Sequence, residues 1–172
     1  MGDNPIIKAV LSLIENDDSK VIGLKFGTRE VKPGEKIPKG EAHGLPTLTW
    51  NALSGQKFIV ISLDIDAPFP SFAPLSPALH WLQTGLEVEA SSGVLTSSDP
   101  VIAFWAPPRP PPISSPHRYL FLLYQQPEDC DVGQFTKACG YGIKDRMRWD
   151  LSNFEKQAKL GPVAAATYFF SN

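Results

Sequence analysis

Apolar residues recur along this chain with two different periods. Between Pro5 and Glu15 they fall at helical spacing, with Ile6, Ile7, Val10, Leu11 and Ile14 on one face. Asn4 supplies a capping side chain and Pro5 the first helical position, so pattern and punctuation together predict a helix over 5–15. Elsewhere the period is two, or it dissolves into continuous apolar runs. Val21 to Phe26 alternates and predicts a strand. Lys57 to Leu63 and Arg118 to Gln125 are almost uninterruptedly apolar, the pattern of strands buried on both faces. Leu79 to Thr84, Val101 to Trp105 and Val163 to Phe170 read as further strands. Ser91-Ser92-Gly93 marks a turn after Leu86 to Ala90. Lys32 to Thr47 is rich in Gly and Pro and reads as loop with room for one short strand. Ser152-x-x-Glu155 has the form of a capping box, which predicts a second helix to about Leu160, closed by Gly161-Pro162. Many strands, two helices, no internal repeat and no linker predict a mainly β fold. The helices, one N-terminal and one near 152–160, are peripheral, and residues 1–172 form a single domain.

Composition narrows the function classes. The chain has 172 residues, enough for one sizeable core. Sixteen basic and eighteen acidic residues leave a net charge of −2, too balanced for nucleic-acid binding by bulk electrostatics. No apolar stretch approaches the roughly 20 residues that span a bilayer. The N-terminus lacks the basic-then-apolar order of a secretory signal, and Ile6 stands where myristoylation after Gly2 needs Ser or Thr. A cytoplasmic protein is expected, with Cys130 and Cys139 as free thiols. No ligand set at metal spacing is present, and no cofactor motif; there is neither a serine nucleophile elbow nor a glycine-rich phosphate loop. The 17 prolines cluster in loops.

Polar residues stand at the ends of the apolar runs. Lys57 to Leu63 leads directly into Asp64-Ile65-Asp66-Ala67-Pro68. Carboxylates at i and i+2 of an extended chain point the same way, and they repel unless a cation, a metal or backbone donors separate them. His80 interrupts the run Leu79 to Leu82. His117-Arg118-Tyr119 stands where a proline-rich loop meets the most apolar strand, which puts an imidazole and a phenol at the rim of a core, where small-molecule pockets form. His80 also reads as a satisfied core histidine, and His117 and Tyr119 as strand-end residues with polar tips in water. Asp66 is expected to accept loop N–H groups, Arg118 to pair with a carboxylate, and Arg109 to be solvated.

In order, Asp-x-Asp-Ala-Pro, Leu-His-Trp and His-Arg-Tyr before an apolar strand resemble the phosphatidylethanolamine-binding proteins. The resemblance runs from about Pro46 to Phe170. It implies a β-sandwich core with peripheral helices, and a small pocket at one end for phosphate, phosphoryl headgroups or other anions. It brings Asp64, His80, His117 and Tyr119 together and sets Pro68 against the pocket. Three departures stand out. Ile65 replaces a proline. The loops after Pro68 and Ala106 are apolar and proline-rich, with Phe69 and Phe72 as candidate pocket rim. The C-terminal helix of animal members has no counterpart before Asn172. The proline-rich second loop and the short tail are similar to those of fungal members.

Three functions remain open. The first is binding of a small amphipathic or anionic ligand. The second is cofactor-free acid–base catalysis, an isomerisation, cyclisation or hydrolysis of a hydrophobic metabolite such as a polyketide, with Asp64, His80, His117 and Tyr119 as the catalytic set. The third is protease inhibition or modulation of another protein.

Overall fold

Two sheets of unequal size share one core. The computed structural model describes residues 4–51 and 55–172; the reading of Gly2 falls outside them. In chain order the elements are α1 (Pro5–Ile14), β1 (Gly23–Phe26), β2 (Arg29–Val31), β3 (Glu35–Ile37), β4 (Thr47–Thr49), β5 (Phe58–Asp64), β6 (Ala78–Val88), β7 (Leu95–Thr96), β8 (His117–Gln125), α2 (Ile143–Arg146), α3 (Leu151–Gln157) and β9 (Val163–Ser171). The small sheet has the order β2-β1-β4 and the large one β3-β9-β8-β5-β6-β7.

The large sheet is buried on both faces, which explains the continuous apolar runs of β5 and β8. On one face, Phe58, Val60, Tyr119, Phe121 and Leu123 pack against Leu24, Phe26 and Leu48 of the small sheet. On the other, Ile59, Ile61, Leu63, Leu120 and Leu122 pack against Ile7, Val10 and Ile14 of α1 and Phe154 of α3. The result is a mainly β fold with peripheral helices, as expected.

Three expectations need correction, and one short strand falls where room was left for it. The strand begun at Leu79 does not end at Thr84. It passes through Gly85, at φ 65°, and continues to Val88 as β6. Residues 101–105 form no strand, because Ile102 and Ala103 both donate to Leu82 O, which makes one bridge and no ladder. The segment read as loop contains β3 and enters β4, while β2 arises from a tight hairpin at Gly27, whose φ of 59° suits glycine. Finally, the cap of α3 is Asp150, whose carboxylate accepts from Asn153 N at 2.9 Å. Ser152 lies inside the first turn, and Glu155 accepts from the Tyr124 hydroxyl at 2.8 Å. The helix α2 had no periodic signal, being only four residues long.

The N-terminal helix follows its pattern. Asn4 Oδ1 accepts from Ile6 N at 2.9 Å, and Ile7, Val10 and Ile14 are buried. Among the described residues, no helix is long and apolar enough to cross a membrane. Cys130 and Cys139 are free thiols.

Candidate functional site

The pairing of β5 with β8 sets the first two site residues side by side. Asp64 and Tyr119 are Cα partners at the end of the antiparallel ladder, with His117 two residues before Tyr119 on the same face. Asp64 Oδ2 accepts from His117 Nδ1 at 2.8 Å, and Asp64 Oδ1 accepts from Asp66 N at 2.8 Å. Asp66 turns the other way. Its Oδ2 accepts from both the backbone N and Nε of Arg118 at 2.8 Å, and its Oδ1 from Arg118 Nη2 at 2.6 Å. The two carboxylates that would repel are thus each neutralised separately, and Asp66 and Arg118 have the structural roles expected of them.

His80 reaches the site by a β-bulge. Ser62 pairs with Trp81 and Leu63 with Leu79, so His80 is the extra residue of β6, and a bulge re-aims its side chain. Its Nδ1 donates to Ala106 O, while Ala106 N donates back to His80 O at 2.8 Å. The ring meets that of Tyr119 edge to face, with centroids 5.1 Å apart.

His80 and His117 line one cavity of about 610 Å³, with Asp64 and Pro68. A volume of that size accommodates a drug-sized ligand. Apolar walls come from Leu75, Leu79, Trp105, Ile143 and Met147, and cations from Arg109 and Arg146. Arg109 is exposed, as expected, but it stands at the cavity rather than away from it. Arg146 was missed by sequence reasoning. Its guanidinium donates to the carbonyls of Leu79, His80, Phe104 and Tyr141 at 2.9–3.2 Å and ties three segments together behind the cavity. It sits in a four-residue helix with no pattern to announce it. Ser114 was missed as well, a hydroxyl three residues before His117 in the proline-rich loop.

The histidines differ in protonation. Burial pushes His80 below the ordinary imidazole value, against the opposing pull of Asp64 and Ala106 O. With Nδ1–H committed to a carbonyl, neutral His80 offers its Nε2 lone pair, which makes no hydrogen bond among the described residues. Burial also opposes the charge on His117, but the hydrogen bond and attraction of Asp64, with Asp66 behind it, outweigh that cost and raise its pKa. His117 Nε2 lies 2.9 Å from Ser114 Oγ, so both of its nitrogens have partners inside the protein.

Four residues depart from the rim picture. His117 and Tyr119 are 1% and 0% exposed, which puts them in the core; alternate residues of a strand buried on both faces have no wet side. Tyr119 stands behind His80, off the cavity wall. Its hydroxyl has no hydrogen-bond partner among the described residues, and burial, with Asp64 nearby, drives its pKa far above the usual phenol value. Phe69 lines a neighbouring cleft with Ile113, Ser114, Arg118 and Phe170 instead of the His80 cavity, and Phe72 is 69% exposed and lines neither.

Among curated proteins the chain is similar to the phomoidride biosynthesis cluster protein N of Talaromyces stipitatus. The two are 29% identical over 157 residues, 82% of this chain and 78% of that protein. The crystal structure of carboxypeptidase Y inhibitor complexed with its cognate proteinase superposes with a TM-score of 0.76 at 23% identity, covering 97% of this chain and 92% of that one. The phosphatidylethanolamine-binding protein from Plasmodium vivax gives 0.72 at 15% identity, over 97% of this chain and 92% of that one. These two likenesses are of fold. The family model described as phosphatidylethanolamine-binding protein matches residues 27–170. With that match covering most of the chain and every residue of the His80 cavity, the chain belongs to the phosphatidylethanolamine-binding protein family.

Proposed function

We propose that this chain is a single-domain small-molecule binding protein whose cavity takes an amphipathic ligand with an anionic, phosphoryl-like end. One observation carries the reading: the His80 cavity joins two arginines to a long apolar wall. Asp64 and His117 cancel each other as an ion pair, so Arg109 and Arg146 set the sign of the site. Arg146 is spent on carbonyls, which leaves Arg109, among the described residues lining the cavity, as the cation free to meet an anion at the mouth. Leu75, Trp105, Ile143 and Met147 suit an acyl or polyketide body.

Calorimetry with inorganic phosphate, octyl phosphate and octanol tests it. Burying about four methylenes at ~0.8 kcal/mol each is worth ~3 kcal/mol, so octyl phosphate should bind about 100-fold more tightly than phosphate. Arg109→Ala should weaken both phosphates and leave octanol alone. Octanol binding as tightly as octyl phosphate, or no binding of octyl phosphate at millimolar concentration, refutes the reading.

A second reading rests on the open lone pair of His80. A neutral imidazole with its other nitrogen fixed on a carbonyl is a poised general base. The similarity to a biosynthesis cluster protein supports proton abstraction from a metabolite, with no cofactor. Deuterium uptake from solvent into a 2-alkyl-1,3-dicarbonyl, accelerated by the protein and lost in His80→Ala, would establish it. An unaccelerated rate would leave the cavity a binding site alone.

A further inference from the structure

Ser114 completes a hydrogen-bonded series that ligand binding does not use. Its Oγ lies 2.9 Å from His117 Nε2, and His117 Nδ1 lies 2.8 Å from Asp64 Oδ2. The three residues are 9%, 1% and 4% exposed. A hydroxyl within reach of an imidazole that a buried carboxylate orients is the arrangement that activates serine nucleophiles, and it is recognised by geometry rather than by sequence position. Ser114 does not line the His80 cavity. It lines the adjoining cleft of about 380 Å³, where Phe69, Ile113 and Phe170 are apolar and Asp66 and Arg118 neutralise each other. Ile113 is 97% exposed and Phe69 40%, an apolar surface that so far has nothing to meet. The Ser115 N–H makes no hydrogen bond among the described residues. It directly follows Ser114, where acyl-transfer sites commonly place a donor for the developing oxyanion.

We propose that Ser114, His117 and Asp64 form an acyl-transfer site in this second cleft, suited to a small ester or thioester with an apolar acyl group. At rest Ser114 Oγ also donates to Ser115 O at 2.8 Å, so His117 Nε2 carries a proton and the ring is an imidazolium. Asp64 and Asp66 favour that proton, while burial opposes it. Once the proton leaves, the Ser114 hydroxyl turns to donate to Nε2. Its oxygen then adds to the acyl carbon as its proton passes to Nε2. The carbonyl π pair moves onto the oxyanion near Ser115 N–H. Collapse breaks the bond to the leaving oxygen or sulfur, which takes the Nε2 proton, and Ser114 is left acylated. Water adds to the acyl-serine with His117 as base, releasing the acid and restoring the hydroxyl. Ser114 and His117 touch the reacting atoms; Asp64 is a positioning residue.

The test uses the full chain, a fluorophosphonate probe and p-nitrophenyl butyrate. Intact mass and peptide mapping should show one phosphonylation, on Ser114, and the ester should be hydrolysed with a burst of nitrophenolate. Ser114→Ala should lose the label and lower turnover by about 10³-fold. Asp64→Asn should retain slow labelling and lose the wild-type rise of rate with pH. The label is read on the unmodified chain, so the test survives a variant that fails to fold. A folded wild type left unlabelled after hours at every pH from about 7 to about 10, well above the ordinary imidazole range, a label on another residue, or equal hydrolysis by a folded Ser114→Ala variant overturns the proposal.

Discussion

Replacing Arg118 by Met should unfold this protein at a markedly lower temperature, although Arg118 does not line the His80 cavity. The guanidinium is 9% exposed and Asp66 2%. Two side-chain bonds, at 2.8 and 2.6 Å, hold the carboxylate in bidentate fashion, and the Arg118 backbone N–H adds a third. A methionine side chain at this position would keep most of the packing volume and the backbone bond but strand a charge in the core. Breaking one partner of such a pair costs about 3–5 kcal/mol. For a domain of this size each kcal/mol lowers Tm by roughly 2–4 °C, so a loss of about 6–20 °C is expected in scanning calorimetry. The double variant Asp66→Asn, Arg118→Met removes the stranded charge and keeps an amide oxygen for the backbone N–H of position 118. It should regain about 2 kcal/mol relative to Arg118→Met. The Asp66 N–H also holds Asp64 Oδ1, so Arg118→Met should loosen the Asp64–His117 pair and broaden the His117 ring signals in NMR. A single variant within about 1 kcal/mol of wild type, or a double variant less stable than the single, would show that the pair does not carry the stability assigned to it.

Asp150→Ala should cost about 1 kcal/mol in urea denaturation through the lost cap of α3, and Ser152→Ala within about 0.5 kcal/mol of nothing; equal effects would restore the capping-box reading. The raised His117 pKa has a definite sign in stability: its contribution is complete below the ordinary imidazole value of 6.5 and fades as pH rises through the folded value. The Tm difference between wild type and His117→Gln should therefore be largest in acid and shrink towards alkaline pH, and a difference that grows with pH would contradict the imidazolium–carboxylate pair.

Much of the fold was legible because burial on both faces writes itself into sequence as an unbroken apolar run. β5 and β8 were found that way, and α1 by its spacing and cap. The failures share a physical cause. Val101 to Trp105 has strand composition, but one bridge at Ala103 absorbs its donors. Ser152 and Glu155 have the capping-box spacing, but Asp150 two residues earlier takes the cap. The site was legible in its motifs and not in its donors. Asp64 and the two histidines converge as their motifs implied. That His80 is neutral and His117 saturated depends on Ala106 O and Ser114 Oγ, which only the folded loop delivers. Arg146 joins carbonyls 42 to 67 positions away, a relation no local pattern encodes.

The strand order has a kinetic consequence. β9 lies between β3 and β8, and β3 runs parallel to it although their paired residues Ile37 and Ser171 stand far apart in the chain. β5 and β6 meet as a local hairpin, but the ladders of β5 with β8 and of β8 with β9 each close a loop of tens of residues before returning any hydrogen bond. Topologies dominated by such distant pairings fold in milliseconds to seconds rather than microseconds. The Asp64–His117 pair spans 53 positions and can form only after β5 and β8 have met. A nascent chain therefore exposes its most apolar strand, β8, for the whole search, and the cavity emerges at the end of folding as a by-product of closure. Protection of the β8 amides and competence to bind should consequently appear together in a refolding time course.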